Sequence, residues 1–197
     1  MIENRALGYR IQYFLHEFIA DGDRTSLDGA PLFEELTSDD AGEMARWVAE
    51  RKRAFDGSPR QFLQAILQGH SEGLGYITYR VDRPSPTTRQ SRSHPRFIIS
   101  PRKFVSPGRS PREMTLAFGG YIEVIYRREK ETKAYLKWHG MPWNSEPSNQ
   151  RSWLRLPEGT VTIDRKGNVL DPYGITYYGY MAFEYLADML PEEYRLP

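Results

Sequence analysis

The spacing of apolar and polar positions divides the chain into short, mostly extended segments with helical patterning in two places. Residues 7 to 19 alternate imperfectly, with Tyr9, Ile11, Tyr13 and Leu15 on one side and Arg10, Gln12, Phe14 and His16 on the other, which predicts a strand. Asp21-Gly22-Asp23 is a turn signal, and Gly29 to Leu36 predicts a second strand. From residue 38 to 68 the period lengthens. A hydroxyl at Thr37 or Ser38 can cap a helix whose Met44, Trp47, Val48 and Phe55 share a face. Gly57 stops that helix in the left-handed region, and Ser58-Pro59 starts another, with an N-cap, a proline at the first position and Gln61 completing a capping box. Phe62, Leu63, Ile66 and Leu67 form its apolar face, ended from Gly69 onward.

Beyond this two-helix corner the strand pattern resumes. Tyr76–Val81, Arg96–Ser100, a long segment within Met114–Arg127, Lys133–Trp138 after a polar hairpin loop at 129–132, Ser152–Leu156 and Thr160–Asp164 are expected strands. Arg165-Lys166-Gly167-Asn168 is a tight turn. Met181, Ala182, Tyr185, Leu186 and Met189 recur at helical spacing, so a C-terminal helix is expected over about 179–190, stopped by Pro191. The fold class is α+β: a mostly antiparallel sheet with the corner and the C-terminal helix, read as a single domain over 1–197.

Charge adds one feature. The net charge of +1 hides a stretch, 83–112, with eight Lys/Arg and no acid, together with six prolines and six serines. Prolines exclude helix there, so the stretch reads as a solvated basic connection; its other reading is a strip that binds a polyanion, through Arg89, Arg92, Arg96 and Arg102. It lacks the interleaved exposed aromatics of a nucleic-acid surface. Trp138 and Trp143 belong to an aromatic-rich last third that can build a contact face for carbohydrate or protein, although most of those rings suit core or cross-strand pairs.

Chemistry is sparse. No cysteine is present, which excludes disulfides, thiolate metal sites and cysteine nucleophiles. His16, His70, His94 and His139 show no metal-binding spacing, and His16-Glu17 fails the zinc-protease pattern because position 20 is Ala20. Ser58 lacks a nucleophile elbow and reads as a cap, Gly119-Gly120 sits inside a strand pattern as a bulge or close approach, and Asp164 and Asp171 read as turn residues with oxygen-ligated calcium as the alternative. No cofactor is expected. No apolar run is long enough to span a membrane.

The segments Glu3–Tyr9, Pro31–Leu36, Arg53–Leu63 with its Gly57-Ser58-Pro59 signature, Ser152–Leu156, Asp171–Tyr180 and Leu186–Pro191 resemble the C-terminal module of secreted bacterial carboxypeptidase-like regulatory domain-containing proteins. The resemblance covers nearly the whole chain, with one local departure: Gln61 stands where histidine is common in that family. It implies an extracytoplasmic location, a transthyretin-like domain ahead of this chain in the full-length protein, and a binding role in the cell envelope. The implied partner is an envelope protein or an anionic polysaccharide. The family name carries no peptidase activity, and no H-x-x-E zinc pair is present. The alternative function is a hydrolase of envelope polysaccharide or peptide, acting through Asp/Glu and His.

Overall fold

The computed structural model describes residues 1–21, 24–82, 96–183 and 188–196. Eleven strands and four short helices among them make an α+β fold with mostly antiparallel sheets, as expected. The chain forms two compact units, Met1–Asp56 with Leu186–Pro197, and Gly57–Tyr185.

In the first unit, β1 (Ile2–Asn4), β2 (Tyr9–Asp21) and β3 (Arg24–Glu35) form an antiparallel sheet in that order, followed by α1 (Ala41–Phe55). β2 and β3 are one long hairpin, running from Tyr9↔Glu35 to Asp21↔Arg24 with a bulge between Leu15 and Glu17. Its base is packed: Leu7, Tyr9, Ile11 and Ala54 are buried, with Phe33 and Leu190 against them. α1 begins later than the hydroxyl suggested. Asp40 is the N-cap, accepting from Gly42 N at 2.8 Å, while Ser38 Oγ donates to Glu43 Oε2 at 2.7 Å.

The buried face of α1 also differs from expectation. Trp47, Arg51, Ala54 and Phe55 are inside, whereas Met44 and Val48 are exposed. The reason is Arg51. Its Nε donates to the Leu7 carbonyl at 2.7 Å, Nη2 to the Gly8 carbonyl at 3.0 Å and Nη1 to Glu35 Oε2 at 3.1 Å, and its guanidinium lies 4.0 Å from the Tyr9 ring centroid. Charge-assisted donors of this kind hold an arginine inside at a position where periodicity alone favours an apolar side chain. Gly8 is required beside it, because its φ is +67° and a Cβ there would stand 2.4 Å from the Trp47 ring.

The second unit opens with α2 (Pro59–Gln68), capped by Ser58 Oγ, which accepts from Gln61 N at 3.1 Å, and closed by Gly69 at φ +72°. The capping box is displaced by one residue: Gln61 Oε1 accepts from Gly57 N at 2.9 Å, and also from Tyr76 Oη at 2.6 Å. Strands β4 (Tyr76–Val81), β5 (Phe97–Ile98), β8 (Tyr121–Lys130), β9 (Asn149–Arg155) and β11 (Thr176–Gly179) form a sheet in the order β11-β9-β8-β4-β5; β6 (Val105–Pro107), β7 (Glu113–Ala117) and β10 (Thr160–Asp164) form another, β10-β7-β6. Phe62, Leu63 and Ile66 of α2 join Tyr76, Ile122, Val124, Tyr126, Leu154, Leu116 and Ile163 in one core.

Three further expectations are corrected. The long strand expected within Met114–Arg127 is β8, but Gly119-Gly120 is not a bulge inside it: the chain bends there, with Gly120 at φ +75°, and the segment before the bend enters the other sheet as β7. Lys133–Trp138 is helix α3, with Thr132 as its cap, rather than a strand. The C-terminal helix is described as α4 (Tyr180–Phe183); residues 184–187 lie outside the described residues, and Asp188–Leu190 are not helical. The turn at 165–168 forms as expected, with Asp164 Oδ1 accepting from Lys166 N at 2.8 Å and Asn168 N at 2.9 Å. Replacing Arg51 with Met leaves the Leu7 carbonyl and Glu35 without this donor and the Gly8 carbonyl with Leu36 N alone, and is expected to cost about 3 kcal/mol. Val48→Ser, on the exposed side of the same helix, should stay within about 0.5 kcal/mol; urea unfolding measures both.

Candidate functional site

In the five-stranded sheet, Ile122, Val124 and Tyr126 of β8 face the core, so Glu123 faces the other way. The register sets Tyr79, Glu123, Trp153 and Tyr178 in one row across β4, β8, β9 and β11. Glu123 is 1% exposed. Arg96 Nε stands 3.4 Å from its Oε2 and Arg151 Nε 3.5 Å from its Oε1, close enough for attraction but too poorly placed for a hydrogen bond. Among the described residues neither oxygen of Glu123 accepts a hydrogen bond, and Arg151 Nη1 makes none. Burial pushes the Glu123 carboxyl above its ordinary value, and Arg151, then Arg96, pull it partly back.

Around this triad the outer face is ringed and cationic. The Arg96 guanidinium lies 5.7 Å from the Tyr79 centroid, Arg155 lies 6.0 Å from Tyr121, and Tyr121 and Tyr178 meet edge-on at 6.0 Å. A carboxylate enclosed in this way does not present itself to a substrate. What it can do is hold two guanidiniums in place on the sheet.

The binding residues expected from sequence are dispersed. Arg89 and Arg92 lie outside the described residues. Arg96 is turned to Glu123, and Arg102, in a 3-10 turn at Pro101–Phe104, donates to the Leu67 carbonyl, so these two are engaged within the unit. Trp138 is mostly exposed at the end of α3, 5.5 Å from Phe183, and Trp143 is almost fully exposed. Trp153 and Tyr180 are buried, in keeping with the core reading of most of these rings. Gly57, Ser58 and Pro59 form the entry to α2, with Gly57 at φ +80°.

Two features escaped the sequence reading. The first is Glu123, whose only local signal is a lone acid inside Tyr121–Tyr126. The second is the outer part of the β2–β3 hairpin. Because the bulge absorbs His16, Phe14 and Ile19 fall on the face that also carries Leu32, while Leu15 and Phe18 fall on the other. All five are exposed, at 48, 45, 59, 53 and 58% respectively. An arm of two strands with apolar side chains on both faces cannot bury them on a single supporting surface.

The raised Glu123 carboxyl fixes the sign of a pH effect. Between its ordinary value of 4.5 and its higher folded value, the native state keeps a proton that the unfolded chain has released. Stability therefore falls as pH rises across that window and is flat above it. Glu123→Gln should abolish this slope, match the parent at low pH and be at least as stable at pH 8; a clear loss of stability at pH 8 would show that the ion pairs outweigh burial. Arg151→Met should extend the window upward and cost about 3 kcal/mol at pH 8.

No family model, curated protein or solved structure matches the chain.

Proposed function

We propose that this chain is a non-catalytic binding or assembly module whose contact element is the outer part of the β2–β3 hairpin. The observation that carries this reading is the pair of apolar faces on that arm, Phe14, Ile19 and Leu32 on one and Leu15 and Phe18 on the other. Such side chains favour a polypeptide partner over an anionic polysaccharide, and Arg96 and Arg102, two of the cations a polysaccharide would need, are occupied by Glu123 and the Leu67 carbonyl. The enclosed Glu123 is not an acid that a substrate can reach.

An extracytoplasmic setting in the bacterial envelope is part of the same proposal. It is supported by the resemblance of Arg53–Leu63 and the segments at both ends of the chain to the C-terminal module of carboxypeptidase-like regulatory domain-containing proteins.

A photo-crosslinking side chain placed at Phe18 or Leu32 in cells carrying the protein should give adducts with polypeptide, and one placed at Val48 should not. Phe18→Ser should reduce adduct formation from position 32 several-fold while leaving the melting temperature within a few degrees of the parent. Equal labelling from positions 18 and 48 would remove the hairpin as the contact element. Retention on heparin that is lost in Arg89→Ser/Arg92→Ser would move it to the basic stretch.

A further inference from the structure

The hairpin has two outer edges, and they differ. β3 borders no further strand among the described residues, but it carries Gly29 and Pro31, a composition that protects an edge from pairing. β2 is covered by β1 only at Tyr9–Ile11. From Gln12 to Asp21 its outer edge has no neighbouring strand among the described residues, contains no proline, and belongs to a segment rich in aromatic and β-branched residues. An edge of this kind is a template for one more strand.

The sequence of that edge selects the strand that fits it. Two copies of one strand can pair antiparallel about a two-fold axis normal to the sheet only if residues on the same face meet. With the bulge counted, an axis through any residue meets this condition, and those through Leu15, Glu17 and Phe18 pair the most of the open edge. Centred on Glu17, the pairing sets Phe14 against Ile19 of the second copy on one face and Leu15 against its Phe18 on the other. A shift of one place sets the charged Glu17 against Phe14 or against Ile19. The Glu17 register also spans the whole open edge, since Gln12 then opposes Asp21. Pairing in this way covers apolar side chains on both faces of the arm at once, which docking on a single surface does not.

We propose that the open edge of β2 pairs with the same edge of a second copy of this chain, centred on Glu17, to give a continuous β3-β2-β2-β3 sheet across a two-fold axis. This rests on the reading of the hairpin as the contact element and names its occupant. The two Glu17 positions are neighbours across the axis.

The chain contains no cysteine, so a single introduced thiol reports one contact. Glu17→Cys should oxidise to a disulfide-linked dimer at least about tenfold faster than Leu32→Cys, which lies on β3, away from the axis. In sedimentation equilibrium the natural chain should show a monomer–dimer equilibrium, weakened at least about tenfold by Phe18→Lys. Far-UV circular dichroism of each variant confirms that the hairpin is intact. A natural chain that stays monomeric up to its solubility limit, or equal oxidation of the two cysteine variants, overturns self-pairing. Should crosslinks from position 18 then still reach a different polypeptide, the hairpin remains the contact element with another partner; should they vanish as well, both proposals fall.

Discussion

A guanidinium taken out of water needs acceptors in the plane of its donors, and in the first unit Arg51 has them. Two carbonyls of the Leu7-Gly8 turn, the carboxylate of Glu35 and the face of Tyr9 surround it. These groups belong to the start of β2, the end of β3 and the turn that precedes them. One side chain of α1 therefore fixes the base of the hairpin. Trp47 adds a second tie by donating from Nε1 to the Arg5 carbonyl at 2.9 Å. The arm can carry exposed apolar side chains without collapsing onto α1 because its base is held by directional bonds rather than by apolar contact alone.

Glu123 shows the other outcome of burying charge. There the carboxylate has two cations near it and no hydrogen bond from either, so desolvation is met by attraction alone. Arg51 is an anchor, while the triad is a place where the sheet carries a cost. The cost lies in the row Tyr79, Glu123, Trp153 and Tyr178, brought together from four strands.

Much of the fold was legible where the determining interactions are local. The bounds of β4 and β10, the Asp164 turn, the Ser58 cap and the Gly69 stop all follow from residues within five positions of one another. The failures have non-local causes. Apolar spacing placed Met44 and Val48 inside α1 because it has no means of assigning a buried position to Arg51, whose acceptors are more than forty residues upstream or on β3. Lys133–Trp138 follows a polar loop in a stretch of strands and reads as one, yet Tyr135 packs edge-on to Tyr180 at 5.0 Å and to Phe183 at 5.5 Å, partners far along the chain that reward a helix. The candidate contact element was half legible. The strand was read, but the bulge that puts apolar residues on both faces has no signature in its own sequence.

The first unit is discontinuous in sequence. Leu190 packs against the core formed by Leu7, Tyr9, Ile11 and Ala54, and Tyr194 meets Phe55 at 5.7 Å. During synthesis the hairpin and α1 leave the ribosome before the residues that close their core, which are made only after Gly57–Tyr185. The arm is thus present on an unfinished unit while the whole of Gly57–Tyr185 is being translated. On polysomes, neighbouring nascent chains are held close together in that interval, and an edge able to add a strand has its earliest opportunity to do so there.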